Sequence, residues 1–141
     1  MRVPMVVRYP VIAPMARTDT RLALNIDIAF TFGELAGVVP PIAQDGRSMA
    51  RLLSDSEPAW RTDFLYEQWL DVDPEEEPEQ PPTLVGVRSE GWKYIEYVTS
   101  ETELYDLQND PFELQNQTNN PAFEDVKSQM AERLRQLRPD W

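Results

Sequence analysis

The sequence predicts an α+β chain in which a small antiparallel sheet is covered by a C-terminal helix. Three patterns carry that expectation. Two β-rich runs, residues 83–89 and 92–98, flank Glu90-Gly91, and glycine at the second turn position permits the positive φ that tight hairpins use. Phe123, Val126, Met130, Leu134 and Leu137 recur at helical spacing, one apolar stripe suited to packing on a sheet. Residues 3–9 form a Val-rich run that does not alternate, the pattern of a strand buried on both faces.

Taken in chain order, the Val-rich run with Pro4 at its entry reads as a strand that needs neighbours on both sides. From Asn25 the pattern turns helical. Asp27 is placed to cap, Ile28, Phe32 and Leu35 share a stripe, and Gly37 followed by Pro40-Pro41 supplies a stop. A second helical start follows Asp45-Gly46, with Ser48 as the cap before Met49, Leu52 and Leu53. Residues 60–69 hold Phe64, Leu65, Tyr66 and Trp69, an aromatic-rich strand. Six of the nine residues from Asp71 to Glu79 are acidic, and the prolines among residues 71–82 deny regular hydrogen bonding, so this stretch reads as a solvated loop. Residues 103–107 supply the third strand of the sheet. Asp110-Pro111-Phe112-Glu113 then has the cap, the first-turn proline and the acid of a capping box. Asn120-Pro121 opens the final helix, whose Arg133, Arg135 and Arg138 favour its negative end.

Composition narrows the chemistry. The 141 residues include no cysteine and no histidine, which removes the commonest nucleophile and the commonest general base near neutral pH. A net charge of −12 and a pI near 4.3 argue against a nucleic-acid or anionic-membrane partner, because phosphate contacts need clustered Lys and Arg. No apolar run approaches the ~20 residues of a membrane span. Met1-Arg2-Val3-Pro4 has neither the apolar stretch nor the small-residue cleavage site of a secretory signal.

Two groups of segments, read together, resemble the C-terminal part of sulfatases of the alkaline-phosphatase-like superfamily. The first runs from Arg2-Val3-Pro4-Met5-Val6-Val7-Arg8 through Asn25-Ile26-Asp27-Ile28-Ala29-Phe30-Thr31 and Glu34-Leu35-Ala36-Gly37-Val38 to Asp45-Gly46-Arg47-Ser48-Met49. The second comprises Val87-Arg88, Trp92-Lys93-Tyr94-Ile95, Glu103-Leu104-Tyr105-Asp106-Leu107, Asp110-Pro111-Phe112-Glu113 and Asn116. One departure is Ala29-Phe30-Thr31, where the family has Ala-Pro-Thr; losing that proline alters the helix start, and Phe30 adds an apolar contact.

The resemblance implies an α/β parent fold. Residues 1–60 would be the last strand and helices of its large domain, and residues 61–141 a C-terminal subdomain of antiparallel sheet plus terminal helix, with an acidic Pro-rich loop at 71–82. It implies a parent that hydrolyses sulfate esters, of carbohydrate or aryl substrates, using calcium and a formylglycine made from cysteine. Those groups lie upstream of the point matching Met1, so the resemblance places no catalytic and no metal-binding residue in this chain and leaves its substrate-binding residues unassigned. The missing N-terminal catalytic portion becomes the natural packing partner, a sulfated small molecule or glycan the parent's ligand, and the periplasm or the exterior the parent's compartment. Other readings are a fragment of a related phosphate or phosphonate ester hydrolase, a stand-alone non-catalytic binding module, and a truncated product without independent function.

Several side chains invite sharper roles, each beside a plainer one. Arg88 and Lys93 offer donors to a sulfate, but also suit a polar strand face. Trp92, Tyr94 and Tyr97 offer platforms for a sugar ring, but strands enrich aromatics for packing. Asp106, Asp110 and Glu113 resemble ion ligands, although capping accounts for the latter pair. Asp27 and Asp45 read as a cap and a turn residue.

Overall fold

A computed structural model of the chain describes residues 3–38, 45–54, 59–69 and 82–139. Two compact units are present, Met1–Arg61 and Thr62–Trp141.

In the first unit, helix α1 spans Ile26–Leu35 and a single turn, α2, spans Ala50–Leu53. Gly37, with φ 67°, ends α1: its N–H reaches Glu34 O at 3.0 Å, and Val38 N–H reaches Gly33 O at 2.8 Å. This pair of bonds satisfies two of the last carbonyls of the helix and needs the left-handed conformation that glycine adopts freely. Ser48 Oγ accepts Ala50 N–H at 3.2 Å from one residue before the cap position, which Met49 holds without a side-chain cap bond. Two expectations fail. Residues 3–9 form no strand, because a ladder needs a neighbour and the unit's described residues contain no strand at all. The α1 stripe is also reversed: Ile28 and Phe32 are 38% and 68% exposed, whereas the buried residues of the helix are Asp27 and Thr31.

The second unit is a four-stranded antiparallel meander in the order β1-β2-β3-β4, with β1 at Asp63–Gln68, β2 at Leu84–Ser89, β3 at Trp92–Tyr97 and β4 at Thr102–Asp106. The Val87↔Tyr94 and Tyr94↔Leu104 register aligns one apolar row across three strands, and alternation turns the Arg88, Lys93 and Tyr105 row to the other face. On the apolar face lies the final helix, α3, at Glu124–Leu137. Val85, Val87, Tyr94, Leu104, Met130 and Leu134 form the core, with Leu65, Trp92, Phe123, Val126 and Leu137 packed against it. The stripe read from the sequence is therefore the packing face. Asn120 accepts Ala122 N–H at 3.1 Å and opens a 3₁₀ turn, Pro121–Phe123, that runs into α3.

Two local expectations are corrected. Gly91 is not at positive φ; the hairpin is closed instead by Ser89 Oγ, which accepts Trp92 N–H at 3.0 Å, and by Leu107 N–H bonding Gly91 O at 2.8 Å. Asp110-Pro111-Phe112-Glu113 starts no helix. It is a turn closed by Glu113 N–H to Asp110 O at 3.1 Å, and Glu113 sits at φ 58°, outside the helical region, so its carboxylate cannot return to a cap. As expected, Arg135 stands in the last turn of α3, where it pairs with Glu132, and Arg138 holds the C-cap; Arg133 pairs with Asp63 and Arg138 with Glu67. Of the acidic loop at 71–82, all but Pro82 lies outside the described residues.

Candidate functional site

Two polar clusters stand out, one in each unit. In the first, the Asp27 carboxylate is fully buried and accepts four hydrogen bonds from three residues. Leu24 N–H donates to Oδ2 at 2.8 Å, Arg47 N–H to Oδ1 at 2.8 Å, and Arg61 grips both oxygens, with Nη2 to Oδ1 at 2.7 Å. Arg61 also donates to Leu22 O at 3.1 Å and lies 4.8 Å over the Trp60 ring. Burial pushes the Asp27 carboxyl up, but the Arg61 guanidinium and the Arg47 and Leu24 N–H groups outweigh it and hold the group below its ordinary value. Asp27 is thus no N-cap. It lies inside the first turn and reaches back to Leu24 while joining α1 to the 45–49 segment and to Arg61.

Gly46 makes this approach possible: a Cβ there would overlap Ile26 O and stand 2.7 Å from Phe30 Cδ2. Phe30, the departure from the family pattern, therefore packs on the turn glycine. Thr31 continues the polar seam, donating to Asp27 O at 2.7 Å and accepting Met49 N–H at 2.9 Å. Asp45 lies exposed at a bend.

The second cluster occupies the sheet face opposite α3. Lys93 pairs with Glu113, and its ammonium lies 5.6 Å and 5.8 Å from the Tyr66 and Tyr105 ring centroids. Tyr66 lies across Gly86, its register partner, where a Cβ would overlap the ring. Burial, reinforced by Glu113, pushes the Tyr66 phenol up. Tyr105 OH donates to Glu103 Oε2 at 3.0 Å, and burial with the Glu103 charge pushes the Tyr97 phenol up to about 12. The left-handed Glu113 turns inward to Lys93 and leaves Phe112 and Leu114 each 80% exposed. Chemically, this arrangement fixes the 110–115 loop to β3.

The side chains singled out from the sequence are dispersed. Arg88 and Lys93 face each other across β2 and β3. Tyr94 is in the core and Trp92 meets Phe123 edge-on at 5.0 Å, so neither presents a face to a sugar. Asp106 accepts Gln108 N–H at 3.0 Å and Asn109 N–H at 3.2 Å, and Asp110 accepts Gln115 N–H at 2.7 Å. Among the described residues no three carboxylates converge on a point that an ion could occupy, and the chain has no cysteine to become formylglycine. These residues do not fit the parent's metal or its modified nucleophile. The Asp27–Arg61 pair was missed because 34 residues separate its members and neither has a helical or strand periodicity that joins them.

The antiparallel meander and its terminal helix have the architecture of the C-terminal part of alkaline-phosphatase-like hydrolases. The chain belongs to the family described as N-sulphoglucosamine sulphohydrolase, C-terminal, whose model matches residues 1–140. It is 30% identical over 122 residues to an N-acetylglucosamine-6-O-sulfatase of Bacteroides thetaiotaomicron, covering 82% of this chain and 21% of that protein. A structure solved in complex with its substrate D-glucosamine-2-N,6-O-disulfate superposes with TM-score 0.69 at 23% identity, over 80% of this chain and 23% of the other. The phosphonate monoester hydrolase of Agrobacterium radiobacter gives TM-score 0.65 at 29% identity, over 80% and 24%. The chain thus spans about a fifth of the length of the curated relative it matches. Among the described residues no helix is long and apolar enough to cross a membrane.

Proposed function

We propose that this chain is the C-terminal portion of a sulfuric ester hydrolase and acts as scaffold rather than as catalyst. The family match over residues 1–140 supports the reading most strongly, together with a composition that contains neither cysteine nor histidine. In this reading residues 1–60 complete the large catalytic domain and residues 61–141 form the subdomain beside it, lending at most one wall to the substrate cleft. The parent hydrolyses sulfate esters of a carbohydrate or aryl substrate. Its calcium and its formylglycine belong to the upstream portion, which is also the partner that packs on the first unit.

The phosphonate monoester hydrolase neighbour supports a second reading, in which the parent cleaves a phosphonate or phosphate ester. The two readings share this C-terminal architecture, and the upstream nucleophile and metal-ligand motifs would distinguish them. The experiment is direct: the purified 141-residue chain, with calcium and with chelator, turns over neither an aryl sulfate nor an aryl phosphonate. Turnover of either by rigorously purified chain would sink the scaffold assignment. Binding of a sulfated glycan by the chain alone, without turnover, would favour the stand-alone binding module instead.

A further inference from the structure

An edge strand leaves the N–H and C=O of every second residue pointing away from its sheet, where another strand can pair with them. On β4 the outward residues are Thr102, Leu104 and Asp106, because Leu104 bonds away from its register partner Tyr94. Among the described residues no strand lies beyond β4, yet its edge is occupied. The chain leaves β4 at Asp106, turns, and returns along it. Leu104 N–H donates to Asn116 Oδ1 at 3.1 Å, and Leu104 O accepts Gln117 N–H at 2.7 Å. In a ladder one facing residue would exchange both bonds with Leu104; here a side-chain carbonyl and the next backbone N–H divide them. Asn116 Nδ2 donates to Thr102 O at 3.4 Å, the Thr102 and Thr118 hydroxyls bond at 2.8 Å, and Asp106 O accepts Asp110 N–H at 2.7 Å.

We propose that residues 107–118 are a strap that stands in for a fifth strand and keeps β4 from pairing with other chains, with Asn116 as its clasp. An asparagine suits the position because its amide presents an acceptor and a donor on one planar group, as a backbone peptide does. It therefore meets Leu104 N–H and Thr102 O together, while Oδ1 also accepts Thr118 N–H at 3.0 Å.

The polar residues ahead of Asn116 fix the path of the return. Asp106 accepts the N–H groups of Gln108 and Asn109, Asp110 accepts that of Gln115, and Glu113, in its left-handed conformation, pairs with Lys93 of β3. Beyond Asn116 the carbonyl of the buried Thr118 accepts Lys127 Nζ of α3 at 3.1 Å. The strap is thus fastened to β3 on one side of the clasp and to α3 on the other. Asp106, Asp110, Glu113 and Asn116 share one task, and their bonds account for them without an ion. Edge closure goes beyond the scaffold reading and does not rest on it.

Amide exchange and sedimentation of the full chain test the strap. In the native chain the Leu104 amide, which no strand faces, is protected like the amides that β3 and β4 share. Asn116→Ala raises its exchange rate roughly tenfold or more and leaves Ile95 in β3 unchanged. The same variant adds concentration-dependent association beyond that of the native chain, because two freed β4 edges can pair about a two-fold axis. Asn116→Asp keeps the accepting oxygen and stays near native in both measurements. A native Leu104 amide that exchanges like an unbonded one would overturn the proposal without any variant. Protection at Leu104 that survives Asn116→Ala, its loss without added association, an equal loss at Ile95, or an Asn116→Asp chain that behaves as Asn116→Ala would each overturn it as well. The scaffold reading, which turnover decides, is untouched by any of these results.

Discussion

Removing the Asp27 carboxylate leaves the Arg61 guanidinium, whose side chain is only 6% exposed, facing no anion, and strands the N–H groups of Leu24 and Arg47. Asp27→Ala therefore costs about 3–5 kcal/mol, the usual consequence of breaking one half of a buried pair. Replacing both partners with apolar residues costs less than the single change, which a double-mutant thermal series will read. The sign of the pH effect follows from the lowered folded value. Asp27 contributes its full stability above the unfolded value of 3.8, and that contribution is lost as pH falls below 3.8 toward the folded value; an Asp27→Asn variant lacks this acid-dependent loss. Asp110 makes a smaller, local contribution. Its carboxylate accepts one N–H, from Gln115, so Asp110→Ala costs about 0.5–1.5 kcal/mol and Asp110→Asn much less. Melts with calcium and with chelator coincide for all three proteins; a calcium-dependent rise in the parent chain that both substitutions erase would assign Asp110 to a metal.

Among the elements, the β2–β3 hairpin separates two uses of glycine that look alike in sequence. Gly86 must be glycine because the Tyr66 ring lies on it, whereas a Cβ at Gly91 meets nothing nearer than Gln108 Nε2 at 3.5 Å. Gly86→Ala then destabilises by about 1–3 kcal/mol through overpacking, and Tyr66→Ala in the same chain relieves the clash. Gly91→Ala changes the midpoint little. A loss at Gly91 equal to that at Gly86 would restore the left-handed turn expected from the Glu90-Gly91 pair. The strands and α3 were legible because alternation and the Phe123 to Leu137 spacing report one buried face each. The turn type was not, since Ser89 Oγ and the Gly91 carbonyl bond across the chain in ways that no local propensity encodes.

Each unit has its own balance of buried surface and open edge. In Thr62–Trp141 the sheet face and α3 share one core, while in Met1–Arg61 the described core residues Met49 and Leu52 accompany a long exposed apolar run. Stability is accordingly uneven, and amide exchange reports it: weak protection over residues 3–9 and strong protection over residues 92–107. Uniform strong protection in a dilute monomer would contradict the open edge. The same exchange data, read at Thr31 and Met49, test whether the polar seam through Asp27 holds the first unit together.

Amino-acid pattern alone established the hairpin, the third strand, the terminal helix with its packing stripe, and the want of a cysteine or histidine for catalysis. Those properties are local or compositional, and side-chain period and residue type record them. Only the tertiary structure decided that Asp27 is a buried anion instead of a cap, that Ile28 and Phe32 face outward, and that Glu113 leaves the 110–113 turn to pair with Lys93 twenty residues away. Each depends on a partner distant in sequence. It also decided that residues 3–9 remain without a ladder: a strand-forming run states a preference for pairing, but pairing takes a second strand, and within the described residues of this unit the chain supplies none.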